Sequence, residues 1–388
     1  MVTSSFIRME MLHKIECSTK RRVVEQSEKI ILFYAEIMLF NEKRDLILYY
    51  NGILLILQIE SCLTLIFYIM KNLKLSFIFL TLVFLGSSIT VCQAKRHQPK
   101  AKAKHVVLIG IDGWAAKSIA DADMPCVKGT LMANGSYTLK KRSVLPSASA
   151  INWASVFMGV GTESHGYTKW FSKVPEIPSS VTNERGIFPT IYSILKEQRP
   201  EERSGLLCDW DVIKHLVDSA CVDDVMFIPG GSSGDEYVEK HGGTKFDYTM
   251  AAVNYIKEKK PTFMTIYFSG LDHAGHTFGW YTDEYYAFEK FIDQCVKLIV
   301  DATKEAGIYD DTIFVLTADH GGIDKGHGGM TLDEMLSPFV VCGKGIKEGF
   351  VMTDAMMQYD VPATVAYMLG VTPPQAWVGR PMTSIFNK

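Results

Sequence analysis

Residues 270–276 read GLDHAGH: one aspartate and two histidines within five positions, bracketed by glycines, directly after the apolar run FMTIYF. A single cluster of this kind is often no more than a solvated loop, but three further stretches carry the same residue types. They are Asp112 in GIDG, Asp319 with His320 in TADHGG, and His327 in KGHGG. With Asp272 and His276 the chain offers three carboxylates and three imidazoles. Mixed nitrogen and oxygen donors suit Zn2+, with Mn2+ or Fe as alternatives, whereas an all-oxygen set would suit Mg2+ or Ca2+. Six donors exceed the needs of one tetrahedral ion, so two divalent ions are expected. Two ions roughly 3.5–4 Å apart form a clamp for in-line displacement at phosphorus.

Phosphoryl transfer also needs a nucleophile. The segment LPSASAINWASVFMGVGTESHG, residues 145–166, places Ser147, Ser149 and Asn152 ahead of a helix-like run that ends at Gly159. A hydroxyl at a helix N-terminus lies beside unpaired backbone N–H groups that can hold a phosphate oxygen, and a metal can lower its pKa. Either serine would also serve as a plain N-cap.

The elements that must position these groups alternate. HVVLIGIDG (105–113), SGLLCDWD (204–211), TFMTIYFSGLD (262–272) and TIFVLTADHG (312–321) read as strands that run into polar clusters. DYTMAAVNYIKEKK (247–260) and YYAFEKFIDQCVKLIVDATKEAG (285–307) read as amphipathic helices. This alternation predicts an α/β fold, a doubly wound and mostly parallel sheet flanked by helices, with at most a small cap. In such sheets ligands bind beyond the carboxyl ends of the strands, where Asp112, Asp272, Asp319 and His320 fall.

In their order along the chain these segments resemble the alkaline phosphatase superfamily, most closely its type I phosphodiesterase and nucleotide pyrophosphatase branch, over roughly residues 104–385. The matching residues are Asp112, Ser149 with Asn152, Asp272 with His276, Asp319 with His320, and His327; ESHG at 163–166 and VGRP at 378–381 also look like family segments. The resemblance implies that Asp272, His276 and His327 hold one ion while Asp112, Asp319 and His320 hold the other. It implies that Ser149 binds the second ion and attacks phosphorus, that a phosphoryl-serine intermediate is then hydrolysed, and that the Asn152 side chain with the Ser149 backbone N–H steadies a non-bridging oxygen. His273, between two ligands, matches no ligand position and is expected in a supporting role. The family often carries Thr-Phe-Pro-Asn-His around the nucleophile; here the stretch is Ser149-Ala150-Ile151-Asn152-Trp153, so the grip on the substrate is expected to differ.

A sulfatase reading fails because PSASA lacks the Pro and Arg of the pattern that is modified to formylglycine. A phosphoglycerate mutase-like reading fails because the stretch between Ser149 and Asp272 is too short for a large inserted domain. A dianionic monoester usually calls for a guanidinium clamp, and no Arg lies in the nucleophile segment after Ser149, which favours a small-molecule phosphodiester or nucleotide substrate. A phosphomonoesterase stays open, because Arg185 or a Lys between Gly166 and Asp272 could reach the site. An inactive exported binding protein on this fold is disfavoured, since it would have no use for six ligands and an aligned hydroxyl. Trp153, Trp170, Phe171, Trp280, Tyr281 and Tyr285 are candidate walls for a leaving group, Trp280 first among them as a substrate contact.

The 388 residues are 47% hydrophobic and 21% charged, with a formal net charge of −3, a globular composition without the basic excess of a nucleic-acid-binding surface. From Met70, MKNLKLSFIFLTLVFLGSSITVCQA has the layout of a secretory signal peptide ending at Ala94; acylation at Cys92 is disfavoured by the Val91 before it. Residues 70–94 are thus expected to be a leader, 95–104 a linker and 105–388 the catalytic domain. Residues 1–69 are expected to be an extension ahead of the true start. The alternative is a pair of membrane helices over 46–70 and 75–91, with Asn51, Gln58 and Glu60 costly in the first. Export to a periplasm or cell surface is expected either way, and membrane contact only through an uncleaved N-terminal segment. Of the cysteines after Ala94, Cys208 with Cys221 is a candidate disulfide, and buried free thiols are the alternative.

Overall fold

The computed structural model describes residues 100–387. The expected leader, the segment ahead of it and the candidate membrane helices lie outside the described residues. Among the described residues no helix is long and apolar enough to cross a membrane.

One eight-stranded sheet runs in the order β4-β3-β5-β1-β6-β7-β2-β8. Its strands are β1 (His105–Ile111), β2 (Gly135–Arg142), β3 (Ser204–Cys208), β4 (Asp224–Phe227), β5 (Phe263–Phe268), β6 (Thr312–Thr317), β7 (Leu336–Gly343) and β8 (Phe350–Val351). The run from β4 to β6 is parallel, and β7 pairs antiparallel with both β6 and β2. The doubly wound, mostly parallel sheet expected above is therefore present. β5 and β6 are buried at every residue and β1 at all but its first, as a sheet covered on both faces requires. The helices of seven residues or more are α1 (Ser149–Met158), α2 (Ile191–Gln198), α3 (Asp235–His241), α4 (Asp247–Lys259), α5 (Gly270–Phe278), α6 (Asp283–Glu305) and α7 (Asp360–Leu369). Helices α1, α2 and α7 contribute to the core on one face, and α4 and α6 to the core on the other.

Each expected strand stops short of the polar cluster after it, so the reactive residues stand outside the ladder with free side chains. GLDHAGH is not a loop but most of α5, which puts Asp272 and His276 one turn apart on one helix face. The long helix begins at Asp283 because the Thr282 side chain accepts from Tyr285 N and two acids occupy its first turn. β2, β4, β7 and β8 were not expected. β2 is half polar, GSYTLKKR, and lacks the apolar run that marks its neighbours. In place of a cap domain, an irregular strap from Gly166 to Thr190 covers the sheet end between short helical turns. The five cysteines from Cys126 onward are free and buried, so the Cys208–Cys221 bridge does not form.

Helix α1 is buried at every residue and stops at Gly159, whose φ of 66° is the left-handed C-terminal geometry that glycine adopts freely. Its Trp153 ring crosses over Gly110 in β1: a Cβ at Gly110 would lie 2.5 Å from the ring. Gly110→Ala is expected to cost about 1–3 kcal/mol by overpacking and to push Trp153 off its partner Asp112. Chemical denaturation checks this, and an unchanged midpoint would mean that the ring has room to move.

Candidate active site

The carboxyl ends of three adjacent strands, β5, β1 and β6, deliver the cluster. Asp112 follows β1, Asp319 and His320 follow β6, and Asp272 with His276 comes from α5 directly after β5. His327 arrives on the loop after His320. Ser149 opens α1, 5% exposed, with its Oγ 3.3 Å from Asp112 Oδ1 and 3.1 Å from His320 Nε2. The structure thus brings Asp112, Ser149, Asp272, His276, Asp319, His320 and His327 into one site.

Backbone carbonyls fix the three imidazoles. His320 Nδ1 lies 2.7 Å from Gly321 O, His276 Nδ1 2.9 Å from Lys325 O, and His327 Nδ1 3.0 Å from Ser147 O. An N–H must point at each carbonyl, so neutral rings present Nε2 lone pairs to the site. The consequence is unfavourable without a cation: His276 Nε2 and His327 Nε2 face each other at 3.1 Å. Asp272 completes that group, with Oδ2 3.5 Å from His276 Nε2 and Oδ1 3.6 Å from His327 Nε2. On the other side Asp319 Oδ2 and Asp112 Oδ1 stand 3.1 and 3.5 Å from His320 Nε2. Donor atoms of Asp112, Asp319 and His320 all lie within 4.8 Å of one another, as do those of Asp272, His320 and His327.

Charge and hydrogen bonding agree with that geometry. Burial, reinforced by the charge of Asp319, pushes the Asp112 carboxyl up to about 7 against the pull of His320, Tyr267 and Trp153. Burial likewise raises Asp319 to about 7, and burial with Asp112 and Asp319 nearby raises Asp272 well above the usual carboxylate range. Burial lowers His320, and lowers His327 to about 2. Asp272 Oδ1 and Asp319 Oδ2 are buried with no hydrogen-bond partner, a costly arrangement unless a cation takes them. The donor set therefore fits divalent metal.

Supporting residues hold the ligands in place. Asp112 Oδ2 accepts from Trp153 Nε1 at 2.9 Å and from Tyr267 OH, and the two rings meet edge to face at 82°. Asp319 Oδ1 accepts from Gly113 N at 3.1 Å; Gly113 has φ +69° and approaches Asp272 so closely that a Cβ would lie 2.9 Å from its Cα. Beneath Asp319 the buried Lys141 Nζ donates to Ala318 O at 2.7 Å and to Gln358 Oε1.

Two expected contacts are corrected. Asn152 faces away from the cavity: its Oδ1 accepts from Val144 N at 2.8 Å, and its Nδ2 donates to the carbonyls of Val144, Pro146 and Ala148. All its polar capacity stitches the loop before Ser149 to α1, leaving none for a substrate oxygen. Trp280 is 4% exposed and sits behind the ligands, its Nε1 donating to Gly113 O at 2.9 Å and its ring edge-on to His276. It buttresses the site and is not on the cavity wall.

The cavity in front of Ser149 has a volume of about 790 Å3. Of the proposed aromatic walls only Trp170 and Phe171 line it, 57% and 51% exposed; Trp153, Tyr281 and Tyr285 do not, while Trp210 and Tyr267 do. His273 also lines it, with Nε2 3.0 Å from Glu236 Oε2 of α3. Arg185 does not reach it, its guanidinium being held 2.6 Å from Asp218. Trp210, Tyr267 and Lys169 escaped sequence reading because they follow no motif and converge only through the fold.

A mostly parallel sheet whose strand ends carry an Asp/His cluster around a hydroxyl at the first residue of α1 has the alkaline phosphatase-like fold. The human ectonucleotide pyrophosphatase/phosphodiesterase 5 structure superimposes with a TM-score of 0.58 at 13% identity, covering 73% of this chain and all of that one. A mutant of the alkaline phosphatase PafA superimposes with 0.59 at 12% identity, covering 74% of this chain and 99% of that one. The chain belongs to the type I phosphodiesterase / nucleotide pyrophosphatase family, whose sequence model matches residues 106–339. In sequence it is similar to GPI ethanolamine phosphate transferase 1 of Emericella nidulans, 32% identical over 148 residues, which is 32% of this chain and 16% of that protein. It is also similar to human ectonucleotide pyrophosphatase/phosphodiesterase family member 1, 25% identical over 228 residues, which is 55% of this chain and 23% of that protein. These matches span less than a quarter of either relative's length.

Proposed function

We propose that the protein is a hydrolase of phosphodiester or nucleotide pyrophosphate bonds that works through a phosphoryl-serine intermediate on Ser149. The observation that carries this reading is the Ser149 hydroxyl at the start of α1, flanked by Asp112 and His320. Two divalent ions, Zn2+ by donor type, would neutralise the carboxylates, polarise the phosphoryl oxygens and lower the pKa of the Ser149 hydroxyl. Asp112, Asp319 and His320 would hold one, and Asp272, His276 and His327 the other. Ser149 Oγ forms the new O–P bond while the ester oxygen departs with the bonding pair, and water then returns Ser149 to its free form. The backbone N–H of Ser149, at the first position of a helix, has no intrahelical carbonyl to bond and can meet a phosphoryl oxygen. Trp153 and Tyr267 keep Asp112 oriented throughout.

The relatives' names, a pyrophosphatase/phosphodiesterase and an ethanolamine phosphate transferase, support two outcomes for the phosphoryl group, hydrolysis and transfer. Hydrolysis of bis-p-nitrophenyl phosphate against p-nitrophenyl phosphate by the full chain loaded with Zn2+ tests the reading. The expected result is diester preference. Monoester preference would make the protein a phosphatase, and formation of an alkyl phosphate when an alcohol is added would favour the transferase. Export through the leader over 70–94 is part of the proposal; N-terminal sequencing of the natural protein checks it, and a peptide from residues 20–45 would overturn it.

A further inference from the structure

We propose that Lys169 is the specificity-determining cation of the cavity, binding a second negative charge on the substrate beside the phosphorus that Ser149 attacks. This rests on the phosphoester reading above. Lys169 is the only lysine or arginine among the described residues that line the cavity, and its ammonium makes no hydrogen bond or ion pair with any described residue. The neighbouring cations are engaged: Lys173 and Lys214 each lie 2.5 Å from Asp211, Arg185 is on Asp218, and Lys325 Nζ donates to Thr277 O at 2.7 Å.

The backbone holds Lys169 close to the nucleophile. Ala150 N donates to Trp170 O at 3.0 Å, so the residue after Ser149 is bonded to the residue after Lys169. Neighbouring Cα atoms are about 3.8 Å apart, which puts Ser149 within reach of a four-carbon stem. The turn is pinned from inside as well. Lys169 N donates to Ser172 Oγ at 3.2 Å, Ser172 Oγ contacts Lys169 O at 3.0 Å and Glu176 Oε1 at 2.6 Å, and Thr168 N donates to Glu176 Oε2 at 2.8 Å. The nearest acid of the strap is thus committed to its own backbone, and Asp209 on the cavity wall accepts from Ser232 and Ser269. A fixed turn carrying an unpaired cation is preorganised to bind an anionic oxygen.

A singly charged diester does not need this cation. A second anionic oxygen does, and it has two sources: the dianionic group of a monoester, or the adjoining phosphate of a pyrophosphate, for which a cavity of about 790 Å3 has room. Lys169→Met and Lys169→Arg in the full metal-loaded chain separate them. The readouts are kcat/KM for bis-p-nitrophenyl phosphate, p-nitrophenyl phosphate and NAD, a substituted pyrophosphate, together with calorimetric titration by inorganic phosphate and pyrophosphate, which needs no turnover. Lys169→Met is expected to lower the ratio of doubly to singly charged kcat/KM about tenfold and to weaken anion binding to match, as loss of a bond to a charged group does; Lys169→Arg should restore most of both. A loss confined to p-nitrophenyl phosphate and phosphate assigns the charge to the attacked phosphorus, and one confined to NAD and pyrophosphate assigns it to the neighbouring phosphate. Equal losses on all substrates, or none, would overturn the role of Lys169. Lys169-dependent anion binding without any phosphoester turnover would sink the hydrolase reading and leave the cation standing.

Discussion

Ser149→Ala is expected to lower kcat for phosphoester hydrolysis by on the order of 10³-fold or more, as removal of a covalent nucleophile does, with little change in fold. The substitution deletes one oxygen at the start of a helix whose neighbours, Ala148 and Ala150, are already alanines, so no packing is lost. What goes is the atom 3.1 Å from His320 Nε2 and 3.3 Å from Asp112 Oδ1. Steady-state rates with circular dichroism give the comparison. Acid-quenched wild-type enzyme should in addition yield a phosphorylated peptide containing Ser149. A variant that keeps its rate would move the nucleophile elsewhere; the Ser147 hydroxyl is already engaged, donating to Gly329 O at 2.6 Å.

The second large effect concerns metal and protons on the same atoms. Asp112 and Asp319 have folded-state values raised to about 7 from an unfolded value of 3.8. A raised acid contributes stability that is present below the unfolded value and is lost as pH rises towards the folded one. For these two groups the metal-free protein therefore loses stability between about pH 4 and 7, each pH unit counting about 1.4 kcal/mol per group at most. Divalent ions should reverse this, since they replace the protons. Apparent affinity for Zn2+ is expected to fall by up to about tenfold per pH unit for each proton displaced once pH drops below about 7. The buried imidazoles, His320 and His327, are held neutral and compete little. Thermal denaturation with and without chelator at pH 8 and pH 5.5 is the measurement: Zn2+ should raise the midpoint strongly at the higher pH and little at the lower. An equal shift at both would mean that these carboxylates do not share their sites with protons.

Four of the parallel strands and the residues that meet in the candidate site were legible because each was written locally. An apolar run ending in GIDG or TADHGG marks both a buried strand and the acid at its tip, and chain order then lines up Asp112, Ser149, Asp272, His276, Asp319, His320 and His327. The helix over GLDHAGH was hidden because its two glycines look like loop signals. Asn152 was carried over from the family pattern and Trp280 was chosen for its place soon after His276, whereas both side chains turn inward to brace the backbone. The cavity wall was legible only at Trp170 and Phe171. Trp210, Tyr267 and Lys169 come from three separate elements, and the bond from Ala150 to Trp170 ties the strap to the residue after the Ser149 hydroxyl.

Each imidazole of the site takes its tautomer from a main-chain carbonyl, those of Gly321, Lys325 and Ser147. The orientation of the three rings is thereby insulated from side-chain drift and exposed to changes in loop length. A library of substitutions at Lys325 should retain function widely, whereas inserting or deleting a single residue between 321 and 327 would swing two carbonyls and unseat two rings at once. Transplanting this centre onto another scaffold would accordingly mean copying a loop path before copying its ligands.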